Sequence, residues 1–454
     1  MTSPSALPEQ TQLLRDQASW ILENNRSQGF TAPNRQLYPH DWLWDTAFQT
    51  LGIRHDDPDR AAEELLHTVS GQWPNGMIPN MQFYEPNIFE RVTWSSPFGH
   101  PESRRDIQTS AISQPPMLAY ATLMVSHMLS AESRESFLHQ IVPSLVKYHQ
   151  WIYQERDFGG TGLFAAVHSY ETGRDNDHAL MKHSENLDWG VAGKIGDIVA
   201  RSLERFQLRT DTRHIPIEQR SSHSDSTAQA IALVSLRWNR FESKRIAANH
   251  PFQVEDVGVN SILVANNTAL VELADDAGIV IDDQLKIKMA QTAENLEKLW
   301  DEETGMYYSR DAISGRLLKT RGAVSLLPLF SGAIPEERAK RLIQNLEDPT
   351  LFELPFGIPT LAISEPSYSE LGYWQGGSWR AFMNYLLAQG AERYGFHDTA
   401  RRIRTKDIAA AAIGGFCEYS SARNGQPGGI AKFSPSAAIY IDTIASHPEL
   451  QEVA

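Results

Sequence analysis

Three acidic residues fall within seven positions in the stretch 167–177, VHSYETGRDND. They are Glu171, Asp175 and Asp177, and apolar runs stand on either side of them. Gly173 allows a sharp turn, which would bring Asp175 to the tip of a loop. A carboxylate fixed on such a loop is a common way to present a catalytic acid on a rigid scaffold. Taken alone, the stretch also fits an acidic surface loop, so the choice depends on the rest of the chain.

A second candidate carboxyl, Glu418, follows a Gly-Gly step in the stretch 414–420, GGFCEYS. A lone glutamate is usually solvated. Here Phe416, Cys417 and Tyr419 are its neighbours, and that apolar setting favours a buried carboxyl. Because the two candidate carboxyls are far apart in sequence, only a closed fold can bring them together.

Tryptophans lie beside polar groups in the stretch 37–48, LYPHDWLWDTAF, where Trp42, Trp44 and Asp45 fall within four positions. Flat aromatic faces next to polar groups suit sugar rings, although they also suit ordinary cores. A carboxylate at this place could accept hydrogen bonds from two adjacent sugar hydroxyls. The structural alternative is that Asp45 caps the helix that follows.

Two further stretches combine aromatic or polar side chains with turn residues. Residues 371–380, LGYWQGGSWR, place two glycines and two other residues between Trp374 and Trp379. Those glycines permit close approach of the backbone to a ligand, or a tight turn. Residues 109–117 place Gln114 before two prolines, which fix the loop and the start of the next helix.

The composition limits the possible classes of function. The chain has 454 residues and 41% hydrophobic content, enough for one large domain or two ordinary ones with an ample core. Its net charge of -15 argues against a nucleic-acid partner, because phosphate binding requires clustered Lys and Arg. Cys417 is the only cysteine, so no intrachain disulfide and no multi-cysteine metal site can form.

The N-terminal sequence lacks a basic segment followed by an apolar one, so no signal peptide is predicted. No apolar run approaches transmembrane length. We therefore expect a soluble, cytoplasmic protein that does not associate with membranes. The sequence has no H-E-x-x-H spacing, no P-loop and no G-x-G-x-x-G after a strand, so we expect no metal and no other cofactor.

Apolar residues at helical spacing predict an all-α fold. About twelve helices joined by uneven loops favour helical hairpins closed into a ring, although an open bundle fits the same count. The predicted helices cover 9–24, 58–70, 114–130, 134–156, 190–206, 227–245, 254–277, 281–301, 335–346, 376–391, 395–412 and 435–446.

Strand signals are few, and the best of them is 305–318, which predicts a short hairpin around residues 313–315. The polar stretches 84–110 and 207–226 lack core periodicity and are predicted to be lid-like excursions over one end of the helical body. No Gly/Ser-rich linker is present, which favours a single domain over residues 1–454.

Some polar residues near the candidate site have simple structural explanations. His168, His178 and His183 flank the Asp175 loop and could tune it, but solvated or hydrogen-bonded histidines are the more common case. The two acids Glu255 and Asp256 stand at a predicted helix start, where they would either cap the helix or make a buried contact to the active-site loops.

In this order, these stretches resemble the bacterial glycosidases related to glycoside hydrolase family 63, which include the mannosylglycerate and glucosylglycerate hydrolases. The resemblance runs from about residue 37 to residue 440, most of the chain. Seven pieces carry it, namely YPHDWLWDTAF, QWPNGMIPN, TSAISQPP, ETGRDN, FQVEDVGVN, YWQGGSW and GFCEYS.

The resemblance implies an (α/α)6 toroid with the sugar bound at one end of the funnel. It also implies an inverting hydrolase of a small α-glucoside or α-mannoside, with the sugar and the aglycone left open. Asp175 matches the general acid of the family and Glu418 its general base. On the acceptor side, Arg220 matches an arginine that holds a carboxylate, and Tyr373 matches a tyrosine. The positions that match the glycone pocket are Tyr38, Trp42, Trp44, Asp45, Gln114, Trp374 and Trp379.

These roles predict the direction of the Arg174 side chain, because Arg174 precedes the candidate acid in the sequence. A general acid must stay protonated near neutral pH, and an adjacent guanidinium would favour its ionised form. We therefore predict that Arg174 points away from the carboxyl of Asp175. The chain also departs from the family on the acceptor side, with Gln375 in place of an arginine and RSSHSDS at 220–226, which lacks a tyrosine.

Two other classes of protein fit part of the pattern. A sugar epimerase or isomerase on a similar toroid would depend on histidines for proton transfer, and the Asp175–Glu418 pair disfavours it. A non-catalytic sugar-binding protein would keep the aromatic pocket, but both carboxyls are present.

Overall fold

A computed structural model describes residues 8–85, 106–205 and 214–452. Helices dominate this part of the chain. They are α1 Glu9–Asn24, α2 Leu43–Ile53, α3 Pro58–Ser70, α4 Leu118–Ser126, α5 Ala131–Glu155, α6 His178–Glu185, α7 Gly190–Arg205, α8 His223–Trp238, α9 Ser243–Asn249, α10 Val257–Asp276, α11 Asp283–Asn295, α12 Pro328–Ser331, α13 Glu336–Leu346, α14 Tyr385–Arg393, α15 His397–Gly414 and α16 Ser434–Ser446.

Six of these helices form a closed inner ring. Helix α2 packs against α4, α4 against α10, α10 against α12 and α12 against α14. The π-helical turn Arg380–Asn384, which leads into α14, packs against α16, and α16 packs against α2 to close the ring. Along the chain, these six inner helices alternate with six others, namely α1, α3, α5, α11, α13 and α15. Helices α6 to α9 are inserted between α5 and α10. The predicted (α/α)6 toroid is confirmed.

The inner helix α2 is covered on every face by its neighbours in the ring. All eleven residues of α2 are buried, and this helix was not among the predicted spans. Helix α10 is long and apolar enough to cross a membrane by length and composition alone, contrary to the sequence analysis, but most of it is buried inside the protein. Its apolarity is explained by its place in the ring.

The insertion between α5 and α10 is itself helical. Helices α7 and α8 pack together as a hairpin, and the stretch 207–226 that was predicted to be a lid excursion includes the first turn of α8. Of that stretch, residues 207–213 lie outside the described residues, as do residues 86–105 of the other predicted excursion. The predicted helix 227–245 is two helices, because Arg240 and Phe241 adopt left-handed φ angles of 55° and 56° that end α8.

Short strands connect the helices at the edges of the ring. They are β1 Asp41–Trp42, β2 Met81–Gln82, β3 Ala165–Ala166, β4 Val254–Glu255, β5 Trp300–Asp301, β6 Met306–Tyr307, β7 Arg310–Asp311, β8 Cys417–Ser420 and β9 Pro427–Ala431.

The short hairpin predicted around residues 313–315 is confirmed, over 309–318. Arg310 bridges Leu317 in antiparallel pairing, and the Asp311 N–H donates to the carbonyl of Arg316 at 3.0 Å. The other edge of β7 pairs with β4, and β6 pairs with β5. The helix predicted over 376–391 begins only at the π-helical turn, because Gly376 and Gly377 make the tight turn that sequence analysis allowed as their alternative role. The single-domain prediction remains a prediction.

Candidate active site

Asp175 lies just after a short 3₁₀ turn, Ser169–Thr172, which ends at Gly173. The hydroxyl of Tyr373 donates to Asp175 Oδ2 at 3.1 Å, and the side-chain amide of Gln229 donates to the Asp175 carbonyl at 2.7 Å. Removal of water from the carboxyl raises the pKa of Asp175 to about 7, and this outweighs the opposing effects of Tyr373 and Arg220. A carboxyl with this pKa is suited to donate a proton near neutral pH.

The other two acids of the loop have structural partners. Glu171 is fully buried and accepts a hydrogen bond from Arg156 Nη2 at 2.8 Å. Asp177 is the N-cap of α6 and accepts the N–H of Ala179 at 3.0 Å. A buried ion pair and a helix cap stabilise the loop, so Asp175 is left as its candidate catalytic group.

Arg174 points away from the carboxyl of Asp175, as predicted. Its guanidinium donates to Asp177 Oδ2 at 3.0 Å and to Asp256 Oδ2 at 2.7 Å. Asp256 is also the N-cap of α10, where it accepts the N–H of Val259 at 2.9 Å. The two roles considered for Asp256, a helix cap and a buried contact, are therefore both present.

Gly173 brings the acid loop against the ring of Trp44. Its φ is 67°, and a Cβ atom at this position would lie 2.3 Å from a carbon of that indole. We expect Gly173→Ala to lower the free energy of unfolding by about 2–5 kcal/mol, as the sum of left-handed strain and overpacking.

Gly278 provides a matched control for this prediction. It has a φ of 65°, but a Cβ atom there would meet nothing within 4 Å. Chemical denaturation of both alanine variants should show about 1–2 kcal/mol of loss for Gly278→Ala, from strain alone. Equal losses in the two variants would mean that the contact with Trp44 contributes nothing.

Glu418 lies on β8 and is held by several donors. Its Oε1 accepts the hydroxyl of Tyr38 at 2.6 Å, and its Oε2 accepts the N–H of Ile430 at 3.1 Å. Arg220 Nη1 lies 3.2 Å from both of its oxygens. Only a glycine fits at Gly429 beside it, where a Cβ atom would be 2.3 Å from Oε2. All of these partners are hydrogen-bond donors. Such surroundings suit a carboxylate, which accepts hydrogen bonds and donates none.

Arg220 connects the two candidate carboxyls. Besides its contact with Glu418, its Nη2 donates to the hydroxyl of Tyr38 at 2.7 Å. Its guanidinium carbon lies 4.3 Å from the centre of the Tyr373 ring, and Tyr373 donates to Asp175. The fold thus brings the two distant carboxyls to one cluster.

Asp45 is a third buried carboxyl near this cluster. It lies in the first turn of α2, whose N-cap residue is Trp42, so the proposed capping role of Asp45 is wrong. Burial raises its pKa well above the usual range, and the charges of Asp175 and Glu418 raise it further. No side chain in the described parts of the protein donates to this carboxyl, which leaves it available to accept donors from a ligand.

The aromatic residues of the predicted pocket stack on one another. Trp374 and Trp379 are parallel at 4.0 Å between ring centres, and Trp44 stacks on Phe382 at 4.2 Å. One face of each ring is therefore packed against protein. Trp374 has a left-handed φ of 58°, a strained conformation that is often found at functional sites.

The remaining predicted pocket residues join this group. Trp42 meets Tyr38 edge to face at 5.9 Å between ring centres. The side-chain oxygen of Gln114 accepts the N–H of Trp44 at 3.3 Å, which places Gln114 against the start of α2. Ten of the eleven predicted site residues are linked by hydrogen bonds or ring contacts. The eleventh, Asp45, is close enough to Asp175 and Glu418 to interact electrostatically. Their individual roles stay predictions.

Several supporting residues were missed by sequence analysis. They include Gln219, whose Oε1 accepts the N–H of Gly429 at 3.0 Å, and Gln229, which holds the Asp175 backbone. The Gly-Gly step at 428–429 was a usable signal, because it repeats the glycine pattern beside Glu418. Nothing in the sequence marks the two glutamines, which act through contacts between distant segments.

Gln375, at the position where the family resemblance implies an arginine, lies between two elements. Its side-chain amide is 3.4 Å from the carbonyl of Asn176 and 3.4 Å from Asp225 Oδ2 on α8. It therefore connects the acid loop to the helical insertion. An uncharged side chain at this position leaves Arg220 as the guanidinium that contacts Glu418 in the described cluster.

His168 has the hydrogen-bonded role that was expected, whereas His183 is buried and its Nε2 has no hydrogen-bond partner among the described residues. His168 is buried, its Nε2 lies 3.1 Å from the carbonyl of Gln229, and burial lowers its pKa to about 4. Burial also lowers the pKa of His183. Among residues 8–85, 106–205 and 214–452, no group of three or more His, Cys, Asp or Glu side chains is arranged to hold a metal ion. The expected lack of a cofactor stays a prediction.

The chain matches a known family over most of its length. The model of the mannosylglycerate hydrolase MGH1-like glycoside hydrolase domain matches residues 38–436. The chain belongs to this family. It is a glycoside hydrolase of the inverting type, as the resemblance implied.

Individual relatives cover nearly the whole chain. The mannosylglycerate hydrolase of Thermus thermophilus is 33% identical over 93% of this chain and 98% of the relative. The glucosylglycerate hydrolase of Mycolicibacterium hassiacum is 27% identical over 97% of this chain and 98% of the relative. A crystal structure of the GH63 mannosylglycerate hydrolase from Thermus thermophilus in complex with Tris and D-glycerate is 30% identical, with a TM-score of 0.83 over 94% of this chain and 99% of that chain.

Proposed function

We propose that this glycoside hydrolase cleaves a small α-glucoside or α-mannoside of the glucosylglycerate or mannosylglycerate type. The observation that carries the proposal is the cluster in which Asp175 and Glu418 are linked through Tyr373 and Arg220. The two carboxyls have different partners, a phenol on one and a guanidinium on the other. Different environments allow one carboxyl to act as the general acid and the other as the general base.

In the proposed reaction, Asp175 donates its proton to the glycosidic oxygen, and the bond between that oxygen and the anomeric carbon breaks. Glu418 takes a proton from a water molecule whose oxygen attacks the anomeric carbon from the opposite face. The products are the free aglycone alcohol and a sugar of inverted anomeric configuration. Release of the proton from Glu418 and uptake of one by Asp175 through solvent restore the enzyme.

The pKa of Asp175 predicts how the activity depends on pH. Because the pKa of this group is raised to about 7, the protonated form persists below that pH and is lost above it. For a natural glycoside, kcat/KM should therefore fall about tenfold per pH unit above about pH 7. A matched series with an α-glycosyl fluoride, which needs no protonation to leave, should keep its activity through the same range. A fall of equal steepness for both substrates would remove Asp175 as the acid.

The substrate is tested with purified protein and a panel of small glycosides. We expect turnover of glucosylglycerate or mannosylglycerate and much slower turnover of kojibiose, nigerose and trehalose, which lack a carboxylate. Preference for a neutral disaccharide would change the aglycone while leaving the hydrolase assignment in place. Binding of the panel without any turnover would instead favour a sugar-binding protein.

The structure of the acceptor side makes the aglycone the more open half of this proposal. Relatives with known substrates include both a mannosylglycerate hydrolase and a glucosylglycerate hydrolase. The chain keeps Arg220 and Tyr373 but has Gln375 and no tyrosine in 220–226. We infer that these differences bear on aglycone choice and not on the hydrolytic step, because the resemblance assigns them to the acceptor side.

A further inference from the structure

We infer that Arg220 is a positioning residue for Glu418, which it orients for the attack of water, and not only a receptor for a carboxylate on the aglycone. This inference rests on the proposed function, because it assigns a task within the base step. It differs from the role that family resemblance implies, in which the arginine acts on the substrate.

The contacts of Arg220 carry the inference. Its Nη1 lies 3.2 Å from both carboxylate oxygens of Glu418, while its Nη2 donates to the Tyr38 hydroxyl, which itself donates to Glu418 at 2.6 Å. Arg220, Tyr38 and Glu418 therefore form a closed triangle of hydrogen bonds. A closed triangle fixes the direction of the carboxylate more strictly than a single contact does.

The backbone next to Arg220 is attached to the same hairpin that carries Glu418. The Gly429 N–H on β9 donates to Gln219 Oε1 at 3.0 Å. The hydroxyl of Tyr419, which follows Glu418 on β8, donates to the Gln219 carbonyl at 2.7 Å. These contacts tie the backbone beside Arg220 to the hairpin through protein groups alone.

Charge in the pocket gives a second reason for this role. Three buried or partly buried carboxyls, Asp45, Asp175 and Glu418, lie within electrostatic reach of one another. Arg220 makes its ion pair with Glu418, at 3.2 Å and with both groups almost fully buried. Loss of the guanidinium would leave a buried carboxylate without its cation, and such a group relaxes away from its working geometry.

An α-glycosyl fluoride separates the two roles of Arg220. This substrate has no aglycone carboxylate, its fluoride leaves with the electrons of the C–F bond, and the attacking water still gives its proton to Glu418. We expect Arg220→Gln to lower kcat on the fluoride by about 10-fold to 100-fold with little change in KM, a part of the full effect of a general base. Lys244→Gln, an equal charge change at an exposed position of the same insertion, should match the wild type.

Two further variants keep the test decisive if Arg220→Gln folds poorly. Arg220→Lys retains the charge but not the two-point contact, and should lower kcat on the fluoride by about 3-fold to 10-fold. Tyr38→Phe, which removes the two sides of the triangle that the Tyr38 hydroxyl forms, should do the same. Thermal unfolding of each variant confirms that the folded protein is compared.

The outcomes separate this inference from the proposed function. If all three variants keep wild-type kcat on the fluoride, and Arg220→Gln only raises KM for glucosylglycerate or mannosylglycerate, then Arg220 is an aglycone receptor and the inference is overturned. If the wild type turns over neither the fluoride nor any glycoside, then the proposed function itself fails. A loss of kcat on the fluoride supports both.

Discussion

Replacement of Asp175 by Asn should lower kcat on natural glycosides by about 10²-fold to 10⁴-fold, the usual contribution of a general acid. Asparagine keeps the size of the side chain and can still accept the hydroxyl of Tyr373, but it has no acidic proton to give to the glycosidic oxygen. On an α-glycosyl fluoride the loss should stay below about tenfold, because fluoride leaves without protonation. Steady-state kinetics on both substrates measure this difference directly.

Asp188→Asn is a suitable control for this variant. Asp188 is exposed, and its side chain accepts only the N–H of Gly190 at 2.9 Å within the described contacts. The control variant should have wild-type kinetics on both substrates. Equal losses for Asp175→Asn on the glycoside and on the fluoride would show that Asp175 does not act as the acid.

Replacement of Glu418 by Gln should abolish nearly all activity on both kinds of substrate, by at least about 10²-fold to 10⁴-fold. The water still needs a base whatever the leaving group, and a glutamine amide cannot take its proton. The new side chain would also leave the guanidinium of Arg220 without its anion, which adds to the loss.

Glu370→Gln provides the matched control for the base. Glu370 accepts the hydroxyl of Ser421 next to β8, so it lies near the same hairpin, but within the described residues it makes no hydrogen bond to the acid–base cluster. Its activity should remain close to that of the wild type. Retention of fluoride hydrolysis by Glu418→Gln would mean that another group activates the water.

The two central carboxyls could be proposed from sequence because each stands in a stretch with local marks. Asp175 follows a glycine that must adopt a left-handed turn, and Glu418 follows two more glycines amid apolar residues. The six helices that alternate with the inner ring were also accessible, since amphipathic helices have a clear period. The prediction about Arg174 succeeded on electrostatic grounds alone.

Features that depend on contacts between distant segments were not accessible. Helix α2 is buried on every side and carries polar residues such as Thr46 and Gln49 among its apolar ones. It therefore has no clear amphipathic period, and its first residues resemble a pocket motif instead. The capping role considered for Asp45 was wrong for this reason, because the helix begins two residues earlier than Asp45.

The partners of Glu418 come from three separate parts of the chain. Tyr38 precedes β1, Arg220 follows the 3₁₀ turn Ile217–Gln219, and Ile430 lies on β9. Composition and spacing describe neighbours in sequence, and none of these residues is a neighbour of the others. Family resemblance named Tyr38 and Arg220 as substrate-binding positions, but their hydrogen bonds to Glu418 required the folded structure.

An NMR time course of the purified protein with glucosylglycerate and with mannosylglycerate shows which anomer of the sugar the enzyme releases first. The anomeric proton of the first sugar released reports the stereochemistry of the reaction before mutarotation mixes the two forms. If Asp175 is the acid and Glu418 activates water on the opposite face, then the β-anomer appears first from an α-glycoside. First release of the α-anomer would mean retention, and the roles assigned to Asp175 and Glu418 would be wrong.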